Sequence, residues 1–166
     1  MARRSSPFPR SGHDHDRCVS AALAAAEAIC ERRGERLTPL RRRVLELVWG
    51  SHKPVGAYAL LDRLRDDGRG AAPPTVYRGL EFLLASGLIH RIETLNAYVG
   101  CSHPGETHVT QFLICRTCGT AAELNDPRLG EAIGRSAADH GFSIVSRVIE
   151  LSGVCARCQS REGAAA

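Results

Sequence analysis

Hydrophobic residues recur at helical spacing through the first half of the chain and in strand-like runs through much of the second. From Cys18 to Arg33 an alanine-rich segment places Leu23, Ala26 and Cys30 at helical intervals, and Gly34 follows as a stop, which predicts a first helix. Thr38 and Pro39 supply an N-cap and a proline at the first helical position. Leu40, Val44, Leu47 and Val48 then line one face of a second helix that ends near Gly50. After a break at Pro54 and Gly56, Tyr58, Leu61 and Leu64 mark a third helix running into the acidic, glycine-rich DDGRG. The stretch PPTVYRGLEFLLASGLI opens a fourth, in which Val76, Leu80, Leu83 and Leu84 share one stripe while Thr75, Arg78 and Glu81 point elsewhere. Gly87 ends it, and LIHRIE followed by NAYVG, with Asn96 near the turn, reads as a β-hairpin. Helices followed by a hairpin make a winged helix-turn-helix.

Beyond Ser102 the pattern changes. SHPGETH is a polar connector and the expected hinge, and HVTQFLICR predicts the first strand of a second unit. GTAAEL can form a second strand, Asp126 with Pro127 caps a helix to about His140, and SIVSRVIELSGV reads as a long β-branched third strand. The expected fold class is therefore α+β, an N-terminal winged helix-turn-helix followed by a small α/β domain. A unit of roughly 60 residues often draws stability from a metal or a partner subunit. Residues 1–15 show no periodicity and read as a disordered tail or an expression remnant outside the fold. Their HDHD run could bind metal weakly, but a flexible pair of histidines is read as incidental.

Composition narrows the class without changing this outline. A hydrophobic fraction of 43% and a charged fraction of 24% are those of a folded globular protein, which argues against gross disorder. No run approaches the roughly 18 apolar residues of a membrane helix, and the arginines of MARRSSPFPRSGHDHDR precede no apolar signal core, so a cytoplasmic protein is expected. Charge is uneven: residues 1–91 hold 16 Lys and Arg against 10 Asp and Glu, whereas residues 92–166 hold 6 against 8. The basic front half suits a polyanion, or is an arginine-rich but inert surface.

The cysteines carry the sharpest chemistry. Stable disulfides are rare in a reducing cytosol, and seven cysteines make an uneven disulfide framework. Cys115 and Cys118 form one Cys-x-x-Cys pair and Cys155 and Cys158 another. Each pair puts two sulfurs on one tight turn, and two such turns complete the tetrahedron that Zn²⁺ prefers, at about 2.3 Å per bond. The 36 residues between the pairs exceed the usual zinc-ribbon gap of about 15 to 20. Here the gap holds a helix and strands, so a metal would tie the module's first strand to its end. A thioredoxin-like redox motif and a coincidence of spacing are the competing readings, but a redox motif needs one pair only.

In order and spacing, LTPLRRRVLELV, PPTVYRGLEFLLASGLIHRIE, NAYVGC, FLICRTCG and GVCARC resemble the ferric uptake regulator family over residues 18–159, and most of all its zinc-sensing members. The resemblance implies a division into a disordered tail (1–15), a winged-helix DNA-binding domain (16–101), a hinge (102–108), a zinc-stapled α/β dimerisation domain (109–160) and a tail (161–166). It implies a homodimer that binds double-stranded operator DNA and represses metal-uptake genes when the sensed metal is bound. TVYR would lie on the recognition helix, with Thr75, Tyr77 and Arg78 toward DNA and Tyr58 beside them. Arg78 lies off the apolar stripe, and an arginine can pair bidentately with guanine in the major groove. Tyr58, Arg41 and Arg42 are candidates for phosphate contacts, or else part of a solvated surface.

The resemblance also implies a regulatory zinc site at His90, Cys101, His108 and Glu123, for about two Zn²⁺ per subunit. Two imidazoles, a thiolate and a carboxylate suit tetrahedral zinc. His103 could replace or supplement His108, or take part in a third site. Iron and peroxide sensors of the family carry a His-rich run just before the first Cys-x-x-Cys; here HVTQFLIC holds only His108, and the thiolate of Cys101 favours zinc. The alternatives are an iron or peroxide sensor, or a metal-independent DNA-binding or interaction module whose zinc is structural only. A zinc hydrolase or deaminase is disfavoured, because the chain lacks H-E-x-x-H and H-x-E…P-C-x-x-C. Asp62 and Arg65 could pair within the third helix, or face a neighbouring dimer on DNA.

Overall fold

A computed structural model describes residues 6–10, 12–68, 72–106 and 110–163. Helix α1 (His15–Arg33) starts three residues before the expected Cys18, because Asp14 caps it by accepting the Arg17 N–H at 3.3 Å. It closes at Gly34, whose φ of 65° lets Gly34 and Glu35 donate back to the Glu31 and Cys30 carbonyls. Thr38 caps α2 (Pro39–Val48), and α3 (Ala57–Asp66) and α4 (Pro73–Ala85) follow. Leu23, Ala26, Val44, Leu60, Leu64, Val76, Leu80 and Leu83 from the four helices are buried together. Each large aliphatic side chain so buried contributes about 1.5–3 kcal/mol. Leu84, expected in the stripe, packs only at its margin.

The wing is an antiparallel hairpin of β1 (Ile89–Ile92) and β2 (Ala97–Gly100), in register Ile89 opposite Gly100 and Ile92 opposite Ala97. A single 3-10 turn, Glu93–Leu95, joins them and ends at Asn96, whose φ of 46° is a left-handed conformation that asparagine tolerates. Val55, in the α2–α3 loop, exchanges two hydrogen bonds with Tyr98 and adds a short third edge to the wing. Gly100 is required by a close approach: a Cβ there would sit 2.1 Å from the Trp49 ring.

In the second unit β3 (Thr110–Cys115) is central, antiparallel to β4 (Ala121–Glu123) and parallel to β5 (Val148–Gly153), with α5 (Pro127–Asp139) crossing between β4 and β5. The third strand is shorter than its β-branched sequence predicts. Among the described residues, 143–147 have no strand partner, Val145 is fully exposed, and Arg147 donates to the Gly130 carbonyl of α5 instead. A terminal helix, α6 (Ala156–Gly163), was not expected, since ARCQSREG carries no apolar stripe. No helix among the described residues is long and apolar enough to cross a membrane.

The two units meet along the wing. Ile92 and Val99 of the hairpin pack with Phe112, Ile114 and Ala121 of the second sheet. The Ala121 N–H donates to the His52 carbonyl at 3.0 Å. The Glu150 carboxylate on β5 accepts the N–H groups of Glu93 and Thr94, at 2.6 and 3.1 Å, and the Thr94 hydroxyl. Burial alone would raise the Glu150 pKa, but these donors outweigh it and hold the carboxyl below its ordinary range.

A carboxylate with a depressed pKa contributes stability that is present above its unfolded-state value and lost as pH falls through the folded value. Amide exchange at Glu93 and Thr94 should therefore quicken below the ordinary carboxylate range; in Glu150→Gln that acid-dependent step should vanish, and a step that persists there counts against this link. Gly100→Ala should lower the melting temperature by the equivalent of about 1–3 kcal/mol through displacement of Trp49, whereas an unshifted thermal melt would mean the indole moves freely.

Candidate metal centres and nucleic-acid face

Strands β3 and β5 run parallel and end side by side, and each delivers a cysteine pair at its end. After Cys115 the chain turns through Gly119, at a φ of 74°, and the Gly119 N–H returns to the Cys115 carbonyl at 2.9 Å. The Arg116 N–H reaches the Gly153 carbonyl at 2.8 Å, and the Cys155 N–H points at Cys115 Sγ at 3.3 Å. The sulfurs of Cys115, Cys118, Cys155 and Cys158 all lie within 4.8 Å of one another, with Cys118 and Cys155 at 3.9 Å. A tetrahedron with bonds of about 2.3 Å has sulfur–sulfur edges of about 3.8 Å, so this donor set fits zinc.

Electrostatics within the cluster favour a cation. The Thr120 hydroxyl, 3.4 Å from Cys118 Sγ, and the Thr120 backbone N–H bring the Cys118 pKa down to about 5. Burial and the neighbouring thiols push Cys158 up to about 12. Four thiolates cannot coexist in this space without positive charge among them.

A second group spans the boundary between the units. His90 stands on β1, Cys101 follows β2 with its N–H on the Leu88 carbonyl at 3.1 Å, and Glu123 ends β4. Their donor atoms all lie within 4.8 Å of one another. His90 Nε2 is 3.3 Å from Glu123 Oε1, while Glu123 Oε2 accepts the Ser102 N–H at 2.8 Å. The His90 ring rests edge-on against Phe112, which fixes its direction. The Glu123 side chain is 1% exposed, and burial together with that carboxylate pushes the Cys101 thiol up to about 12. An imidazole, a thiol and a carboxylate are three of the four donors of a tetrahedral zinc site. His108, the fourth residue expected here, lies outside the described residues. Among the described residues His103 does not join this group.

In the winged helix, Tyr58 at the start of α3 is 74% exposed, and Thr75, Tyr77 and Arg78 are exposed on the first turns of α4. Val76, Gly79 and Leu80 take the inward positions between them. Arg41 and Arg42 are engaged within the fold. Arg41 stacks 3.5 Å over the Phe82 ring and donates to the Arg36 carbonyl, while Arg42 pairs with Glu27 and Glu46. Asp62 and Arg65 make the intrahelical pair at 3.6 Å.

A winged helix-turn-helix joined to a small α/β module bearing two Cys-x-x-Cys knuckles defines a class of regulatory proteins. The ferric uptake regulator family model matches residues 32–152. The zinc uptake regulation protein of Escherichia coli (strain K12) is 42% identical over 137 residues, spanning 82% of this chain and 80% of that protein. A structure described as a zinc uptake regulator complexed with zinc and DNA is similar at 40% identity and a TM-score of 0.81, covering 87% of this chain and 97% of its own. The holo form of XcZur is similar at 42% identity with a TM-score of 0.77, over 84% of this chain and 98% of its own. The apo form of XcZur reaches only 0.50 at 43% identity, over 85% and 97%, so the contrast lies in conformation rather than in sequence. The chain belongs to the ferric uptake regulator family. That family consists of regulators, which disposes of the hydrolase and deaminase readings.

Stripping the four-thiolate cluster with a strong chelator, or introducing Cys118→Ser, should unfold the second unit, because a structural zinc contributes on the order of 10 kcal/mol. Circular dichroism and metal analysis together check this. A folded Cys118→Ser protein with full zinc content would remove the cluster from the list of metal sites.

Proposed function

We propose that this protein is a zinc-responsive transcriptional repressor that binds operator DNA as a homodimer and shuts off zinc-uptake genes in the cytoplasm. The observation that carries the reading is the meeting of His90 and Cys101, from the wing, with Glu123, from the second sheet. In this reading Cys115, Cys118, Cys155 and Cys158 hold a structural ion, and His90, Cys101, His108 and Glu123 hold the exchangeable one. A bound Zn²⁺ supplies the positive charge that lets Cys101 ionise beside a buried carboxylate.

The chain's own residues convert that into geometry. His90 is part of the hairpin that begins four residues after α4, and Glu123 is part of the second sheet, so drawing them together sets the direction of α4 relative to the second unit. In a dimer two α4 helices must reach successive major grooves, about 34 Å apart. Arg78, Tyr77 and Thr75 then face base edges and phosphates, with Tyr58 flanking them. The dimer surface proposed is the open side of β5, where Val148 and Leu151 are about half exposed, together with exposed Phe142. An unpaired edge strand with apolar side chains is a ready interface. The match to the zinc- and DNA-bound and holo structures, rather than to an apo one, supports a conformation competent for DNA. Sulfur in the exchangeable set favours zinc over iron.

Cys101→Ser should keep the fold, lose one zinc per chain and lose zinc-dependent DNA binding, as read by fluorescence anisotropy on operator DNA at fixed salt. If zinc tightens DNA binding at least tenfold, about 1.4 kcal/mol of coupling, the variant should show none of it. An undiminished zinc response in Cys101→Ser would refute the assignment.

A further inference from the structure

Three imidazoles and a thiol converge at a second junction, where His13 and His15 from the N-terminal segment meet Cys18 of α1 and His52. His13 and His15 flank Asp14, the N-cap of α1, and Cys18 lies one turn beyond His15 on the same side of the helix. His52 approaches from the α2–α3 loop, 39 residues from His13 in the sequence. One donor atom from each of the four lies within 4.8 Å of the others. The ring centroids of His13 and His15 are each 4.8 Å from that of His52.

The hydrogen bonds around the group are those of a ligand set. His13 Nδ1 faces the Arg10 carbonyl at 3.0 Å and must donate to it, which leaves Nε2 as a lone pair aimed at His52 Nε2, 2.8 Å away. Both ring nitrogens of His15 are buried with no hydrogen-bond partner. A buried polar atom left unsatisfied costs about 1–3 kcal/mol, and a cation would satisfy the lone pair.

We propose that His13, His15, Cys18 and His52 form a further metal site, selective for a tetrahedral divalent cation of the zinc type. Three nitrogens and one sulfur suit Zn²⁺, and Co²⁺ as its spectroscopic substitute. The site is separate from the four-thiolate cluster and from the set at His90, Cys101 and Glu123, and it does not rest on the repressor reading. Its place in the fold gives it a consequence. The His52 carbonyl accepts the Ala121 N–H, two residues before Glu123, so an ion here clamps the N-terminal segment and the α2–α3 loop against β4 beside the domain junction.

The test uses the full chain carrying Cys101→Ser, which disables the junction site, after mild chelation that leaves the four-thiolate cluster loaded. Titration with Zn²⁺ should show one exchangeable equivalent per chain. Adding His15→Ala or His52→Ala should weaken that binding by roughly tenfold or more, with an unchanged melting curve of the zinc-free form. With Co²⁺, the thiolate-to-cobalt absorption of this equivalent should disappear in Cys18→Ser. Absence of an exchangeable equivalent in Cys101→Ser overturns the proposal. So does an equivalent indifferent to His52→Ala, which would mean the HDH segment binds alone. The repressor reading fails separately, if Cys101→Ser retains zinc-dependent DNA binding whatever the state of His13, His15 and His52.

Discussion

A carboxylate with almost no exposure sits where the two units of this protein meet, and much of the arrangement depends on it. Glu123 is held by the Ser102 N–H on one oxygen and approached by His90 on the other, with the Cys101 thiol close by. Burying a charge costs several kcal/mol unless it is paired, and a second negative charge on Cys101 would raise that cost. The burial of Glu123 and the rise in the Cys101 pKa are two views of one deficit of positive charge. A divalent cation held there would relieve both, and in the proposed reading that would couple closure of this junction to metal.

That junction matters because the surrounding contacts are modest. Ile92 and Val99 share a small apolar cluster with Phe112, Ile114 and Ala121, and Glu150 and the His52 carbonyl add hydrogen bonds. An interface of this size leaves relative domain motion open, and a few kcal/mol of metal binding is enough to select one arrangement. The four-cysteine cluster lies where β3 and β5 end side by side, and a metal held there would join those ends and supply stability that so small a core lacks. One group of ligands therefore fits a permanent role and the other a reversible one. The thiolate set lies within a single unit, whereas the mixed set draws on two.

The four helices, the hairpin and the two cysteine knuckles were legible because each has a local cause. Thr38–Pro39, Asp126–Pro127, Gly34 and Gly87 punctuate the chain, and the Val76, Leu80, Leu83 stripe orients α4 whatever packs on it. Less was legible where neighbours decide. Residues 143–147 are β-branched enough for a strand but find no partner, and α6 has no amphipathic pattern because it is anchored by the cysteines at its start. The sequence left Arg41 and Arg42 between phosphate contact and a solvated surface, and only the packed structure shows Phe82, Glu27 and Glu46 beside them.

The sequence by itself determined the first five helices, the hairpin, the family and the thiol pairs, since caps, periodicity and Cys-x-x-Cys spacing act over a few residues. Tertiary structure alone decided which distant donors share a site. Cys101 and Glu123 meet because β4 is hydrogen-bonded to β3 and lies against the wing, and His52 reaches His13 and His15 because the α2–α3 loop folds back on the start of α1. Such encounters depend on the closure of long loops and on packing across domains, which no short window of sequence encodes.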